Sequence, residues 1–129
     1  MKIKHCRELI ITLISLTFFI SCDYGTKKIA KSEISDKEYD FGEISISDSI
    51  VHSFFIKNSS TTPLKIYEVA SSCGCTTTNF TKTNIGLNEH ASIQVVFKPD
   101  RKGYIEKSII VETNTDPPFN VFYLKGIVK

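Results

Sequence analysis

Tryptophan is absent from the 129 residues, and only four cysteines occur. Cys6 lies in a basic N-terminal stretch, Cys22 follows an apolar run, and Cys73 and Cys75 stand one residue apart. The chain therefore lacks the buried Trp and the widely spaced cysteine pair of an antibody-type domain with its inter-sheet disulfide. An excess of one charge is missing too. Residues 1–21 hold Lys2, Lys4, Arg7 and Glu8, which leaves 13 basic and 13 acidic residues of the 16 and 14 in the whole chain. The remainder is near neutral, with no basic field to attract nucleic acid. No stretch after Asp36 keeps a period of 3.6 over three turns, so helices are not expected there. The familiar chemical signatures are also lacking. No Gly-rich phosphate loop, His-Glu-x-x-His or G-x-S-x-G elbow occurs. Ser71 and Ser72 have no identifiable base beside them, and the Asp and Glu residues are scattered without a pair that stands out. No catalytic residue, cofactor or small-molecule substrate is indicated, and the chain is not read as an enzyme.

What is present begins at the N-terminus. Lys2, Lys4, His5 and Arg7 form a basic start, Leu9 to Ile20 is an uncharged apolar run of twelve residues, and small Ser21 precedes Cys22. This is the order of a secretory signal. Twelve helical residues rise about 18 Å, too little to cross a hydrocarbon layer of about 30 Å, so a permanent span is the weaker reading. The segment resembles a bacterial lipoprotein signal with the lipobox Phe19-Ile20-Ser21-Cys22, Phe19 standing where Leu is usual. That resemblance implies a lipidated Cys22 as the first mature residue. Several acyl chains at about 0.8 kcal/mol per buried methylene hold firmly where one does not. Asp23 to Asp36 is polar and aperiodic and reads as a tether. Its fourteen residues reach at most about 50 Å. The expected organisation is a signal peptide over 1–21, lipidated Cys22 and tether over 22–37, and one domain over 38–129. The expected location is the bacterial cell envelope, anchored to a membrane by lipid and facing the periplasm or the cell exterior.

From Glu38 onward short runs rich in Val, Ile, Phe, Tyr and Thr alternate with Asn, Ser, Gly and Pro. Such runs read as strands. They are Glu38–Phe41, Ser49–Lys57, Leu64–Ala70, Cys75–Phe80, Ala91–Lys98, Tyr104–Thr113 and Phe119–Val128. A period of two places Ile50, Phe54 and Ile56 on one face, as it does Ile93, Val95 and Phe97, and Ile105, Ile109 and Val111. Phe55 and Phe122 are expected opposite the inward residues of their strands, where both would be available to a partner. The breaks Asn58–Pro63, Gly86–Glu89, Lys98–Gly103 and Asn114–Pro118 carry turn chemistry. About seven short strands at this spacing predict an all-β, immunoglobulin-like β-sandwich.

Specific residues carry a further likeness. Asp40-Phe41-Gly42-Glu43-Ile44, Phe54-Phe55-Ile56-Lys57-Asn58 and Pro63-Leu64-Lys65-Ile66 open it. Ser71-Ser72-Cys73-Gly74-Cys75-Thr76, Ala91 to Pro99, Gly103, Thr113-Asn114 and Leu124-Lys125-Gly126 follow in order. The domain resembles the bacterial family known as domain-of-unknown-function family 1573. That family is similar to immunoglobulin-like domains of the major-sperm-protein and Hydin type. Gly86-Leu87-Asn88 stands where the family tends to have a Pro-Gly turn. The resemblance implies the fold; it adds little to function, since fold does not imply function.

Cys73 and Cys75 are the one constellation with chemistry. Residues i and i+2 of an extended strand have Cα atoms nearly 7 Å apart, at the edge of what a disulfide accepts, and Gly74 can fold the segment more tightly. Such a small ring is expected to be strained and more reducible. Three readings stay open: a local disulfide, two thiols that take a soft metal such as Cu(I) or Zn(II) or a partner's cysteine, and thiols that merely pack. Two ligands are too few for a closed zinc site, and His52 and His90 read as ordinary strand or surface histidines. The expected role is a non-enzymatic binding or scaffold module with an envelope protein partner, through exposed strand edges. The alternative is thiol redox or copper or zinc handling through Cys73 and Cys75.

Overall fold

The computed structural model describes residues 25–129. The expected signal peptide and Cys22 lie outside the described residues. Eight strands follow one another: β1 (Ser32–Glu33), β2 (Glu38–Ile44), β3 (Ile50–Asn58), β4 (Ile66–Ser71), β5 (Thr76–Phe80), β6 (His90–Phe97), β7 (Gly103–Thr113) and β8 (Phe119–Val128). They form two four-stranded sheets, ordered β1-β3-β6-β5 and β2-β8-β7-β4. The result is the immunoglobulin-like β-sandwich that the strand pattern predicts.

The core follows from the period-two runs. Phe54 and Ile56 of β3, Ile93, Val95 and Phe97 of β6, Ile105, Ile109 and Val111 of β7, and Leu124 and Val128 of β8 all face the space between the sheets. Each such side chain contributes roughly 1.5–3 kcal/mol when fully buried. Leu64 and Ile85 join them through an isolated bridge outside the strands.

The expectation for Phe122 is corrected. Phe55 is 50% exposed, but Phe122 is 0% exposed and its ring centroid lies 4.9 Å from that of Phe54. Strand β8 is apolar on both faces, so alternation alone cannot choose which residues turn inward. Pairing with β7 decides it: Phe122 stands opposite core residue Ile109, and partners directly across a ladder share one face.

The tether is corrected as well. The folded unit starts before Glu38. Ala30 is buried, bridges Thr115, and donates its N–H to the Asn114 carbonyl at 2.9 Å. Ser32 and Glu33 then pair with Asn58 and Lys57. Two residues are too few to display a period, which is why the stretch reads as aperiodic.

Two distant sequence pieces meet at β2. This strand runs parallel to β8, with a register shift between Asp40 and Glu43. Gly42 at the shift has φ 70° and donates its N–H to the Asp40 carboxylate at 2.8 Å. A left-handed residue at that point favours glycine. The shift lays the Phe41 ring over Gly126, where an added Cβ would stand 2.3 Å from Phe41 Cε2 and 2.7 Å from the Gly42 carbonyl oxygen. Gly126→Ala is therefore expected to destabilise the fold by about 1–3 kcal/mol, the usual cost of overpacking. Urea unfolding would show this as a lower midpoint, and Phe41→Ala in the same background should recover part of the loss. An unchanged midpoint in Gly126→Ala would refute the close approach.

Candidate functional site

The sandwich has two chemically different ends. The chain enters at the end formed by residues 59–63, 84–89 and 114–118, beside the C-terminal end of β3. The opposite end carries residues 45–49, 72–75 and 98–102, where Ile50, Phe97 and Thr76 stand in one row across the sheet. Nine residues of β3 separate the two ends, about 30 Å. Cys73 and Cys75 therefore sit at the tip farthest from the point of entry.

The four residues Ser72-Cys73-Gly74-Cys75 carry the chain from β4 in one sheet to β5 in the other. Their backbone groups are held by neighbours. Ser71 Oγ reaches the carbonyls of Cys73 at 3.0 Å and Thr76 at 2.9 Å. Thr76 N–H donates to the Cys73 carbonyl at 3.3 Å, and Lys98 N–H donates to the Cys75 carbonyl at 3.0 Å. Ser72 N–H donates to the Ser108 carbonyl at 3.0 Å, and Ser108 N–H donates to Ser72 Oγ at 3.2 Å. Ser71 and Ser72 thus organise the crossover. Neither side chain is paired with a base in these contacts.

In this turn the two cysteines are joined as a disulfide with Cα atoms 5.3 Å apart. Thr76 Oγ1 lies 3.7 Å from Cys73 Sγ and 4.0 Å from Cys75 Sγ. Cys75 packs against the core, whereas Cys73 is not part of that cluster. Gly74 is exposed, its φ is not left-handed, and an added Cβ would meet nothing within 4 Å. Cys73 and Cys75 on either side of it are half-buried. The bond also closes a very short loop. Chain entropy assigns such a loop roughly 1.6 kcal/mol, against about 4.7 kcal/mol for a loop of 100 residues.

The histidines stand elsewhere. His52 of β3 pairs with Val95 of β6, and His90 pairs with Lys57 at the entry end. Among the described residues no group of three or more metal-ligating side chains occurs. His52 stacks on Tyr39 with ring centroids 3.8 Å apart and meets the edge of Phe54 at 4.7 Å. Tyr39 belongs to the other sheet, so the stack closes the side of the sandwich where the chain passes from β1 to β2. It borders a hollow of about 320 Å³ that also touches Asp36, Glu38 and Phe55. A wider hollow, about 760 Å³, lies at the entry end between Lys31, Lys37 and Thr115–Pro117, and neither cysteine nor histidine lines it.

Two further residues of the sequence likeness have structural work that no pattern announced. Asn58 is buried. It donates Nδ2 to the carbonyls of Thr62 and Ile85, both at 2.9 Å, and accepts from Ser60 N–H at 2.9 Å. Asn114 accepts from Lys65 N–H at 2.8 Å and donates to the Pro63 carbonyl at 2.9 Å. Between them they fix the crossover from β3 to β4. An Asn closing an apolar strand was the available signal, but it reads equally as the first residue of a loop.

The profile of the family described as Protein of unknown function (DUF1573) matches residues 32–128. The chain belongs to this family. The match begins at β1, in agreement with the revised start of the folded unit. No curated protein matches this DUF1573 chain. Among solved structures it is similar to a protein of unknown function from Porphyromonas gingivalis W83, with TM-score 0.69 and 16% identity. That likeness covers 78% of this chain and 48% of the other, so the chain spans about half the length of that protein. The ASH/PapD-like domain 7 of human CEP192 matches with TM-score 0.63 and 16% identity, over 77% of this chain and 85% of that one. A family 123 glycoside hydrolase from Clostridium perfringens matches with TM-score 0.62 and 12% identity, over 78% of this chain and 27% of the enzyme. At such identities the likeness shows a shared sandwich and nothing about activity.

Two tests follow from these contacts. Asn58→Ala leaves buried partners without their hydrogen bonds and should cost about 1–3 kcal/mol in urea unfolding; a loss within error of zero would contradict the loop-holding role. Burial lowers the His52 pKa below its ordinary 6.5, opposed by the nearby Asp36 carboxylate. The folded state thus favours the neutral ring, and the unfolded chain binds the proton more readily. Stability should be full above about pH 6.5 and fall as the pH drops below it towards the folded pKa. Thermal midpoints between pH 8 and pH 5 would show the fall, and His52→Phe should flatten it. An identical slope in that variant would assign the fall to other groups.

Proposed function

We propose that this DUF1573 protein is a lipid-anchored extracytoplasmic lipoprotein whose sandwich acts as a non-enzymatic binding or scaffold module. The observation that carries the reading is the polarity of the domain. The chain enters at one end, and the loops 45–49, 72–75 and 98–102 gather at the other. An anchor at Cys22 would hold the entry end near the membrane and present the tip to a protein partner in the envelope. The basic start, the apolar run Leu9 to Ile20 and the Ser21-Cys22 junction supply the anchor. Among the described residues no helix is long and apolar enough to cross a membrane.

Thiol redox or soft-metal handling through Cys73 and Cys75 is the second reading, favoured by the position of the pair at the free tip. Two sulfurs alone do not make a closed zinc site.

Mass analysis of the protein taken from its native cell tests the anchor. The expected N-terminal residue is Cys22, carrying acyl chains. Cys22→Ser should abolish incorporation of labelled fatty acid and move the protein out of the membrane fraction. A native protein that keeps Met1, or that carries no fatty modification, would overturn the proposal.

A further inference from the structure

We propose that Cys73–Cys75 is an exchangeable disulfide that oxidises a pair of thiols on the protein partner. This deepens the thiol-redox reading of the pair and rests on the envelope reading for the oxidising compartment in which such a bond persists.

Three observations set this bond apart from a structural staple. The loop it closes is too short to restrain the unfolded chain much. The turn is held by bonds that do not involve sulfur: Ser71 Oγ to two carbonyls, Thr76 N–H to Cys73, Lys98 N–H to Cys75, and the Ser72–Ser108 pair. Opening the S–S bond therefore leaves the backbone in place and the two sulfurs side by side. The bond is also within reach of solvent, because both cysteines are only half-buried and the turn sits at the free tip. Disulfides that keep a part in solvent are among the labile ones.

The two sulfurs have different surroundings, and this assigns the order of events. A partner thiolate attacks Cys73 Sγ, the sulfur outside the core cluster. The S–S bond breaks, and its electron pair passes to Cys75 Sγ. That thiolate is backed by the core and takes a proton from solvent; the Thr76 hydroxyl, 3.7 Å from Cys73 Sγ and 4.0 Å from Cys75 Sγ, serves both sulfurs. A mixed disulfide now joins Cys73 to the partner. A second thiolate of the partner attacks the partner's own sulfur in that bond, and Cys73 leaves as a thiolate. The partner has lost two electrons and gained a disulfide, and the Cys pair has become a dithiol.

The test uses the mature, acylated protein from its native membrane, purified in detergent and equilibrated in mixtures of reduced and oxidised glutathione. Free thiols are trapped with a maleimide and counted by mass. The expected result is a change from no added group to two across the series, with the folded far-ultraviolet circular dichroism and a cooperative thermal transition retained by the dithiol form. A pair that stays closed in every mixture and in excess dithiothreitol would overturn the proposal, as would opening that occurs only on unfolding. Either failure would leave acylation at Cys22 untouched, so the two readings are separable. Two variants check the order of attack. Cys75→Ser, with Cys73 free, should gather several-fold more glutathione adduct than Cys73→Ser; equal or reversed yields would remove the assigned role of Cys73 as the attacked sulfur.

Discussion

The chain changes sheets five times in a little over 100 described residues, and the whole architecture depends on making those passages without leaving buried polar groups unpaired. A strand satisfies its backbone against a neighbour, but a crossing segment has no ladder. One or two short polar side chains meet the need at several of these passages. Asp48 closes the turn from β2 to β3 by accepting from Ser45 N–H at 2.8 Å. Asn58 and Asn114 hold the passage from β3 to β4, and Ser71 with Ser72 holds the one from β4 to β5. Among the described residues no buried side-chain nitrogen or oxygen lacks a partner.

This requirement explains much of the chemistry that the sequence displays. Polar residues at the ends of apolar strands look like functional candidates when read in a line. In three dimensions most of them are fully engaged in holding loops. Lys125 of β8 and Glu38 of the edge strand β2 form an ion pair across the two strands, as do Lys129, just past β8, and Glu43 of β2. Such exposed pairs add little stability, but they place charge on an edge strand that would otherwise invite pairing with another chain. The Cys73–Cys75 bond is different, since the crossover around it is already satisfied by serine, threonine and backbone. It closes a very short loop at the tip of the sandwich, far from the point of entry.

Much of the fold was legible in the sequence because burial writes a period of two into any strand with one wet face. Ile93, Val95 and Phe97 announce their side of β6, and Ile105, Ile109 and Val111 announce theirs. The reading failed where that contrast vanishes. β8 has apolar residues on both faces, so Phe122 was assigned to the wrong side. β1 has two residues and therefore no pattern, so the folded part of the tether was missed. Gly74 was read as a backbone requirement of a tight turn, yet its φ is ordinary and the space around it is open. Asn88 shows the converse. It occupies the left-handed region with φ 64° in the Gly86–Glu89 turn, which Asn tolerates better than most residues.

Local composition and spacing suffice for the fold class, the count of long strands, most of the core and the two cysteines as the one candidate pair. Which end of the sandwich the pair occupies, that Phe41 lies over Gly126, and that His52 meets Tyr39 and not a cysteine emerge from the assembled sheets alone. Those facts depend on register between strands far apart in the chain. Register is an energy of the assembled sheets, and no single segment carries it.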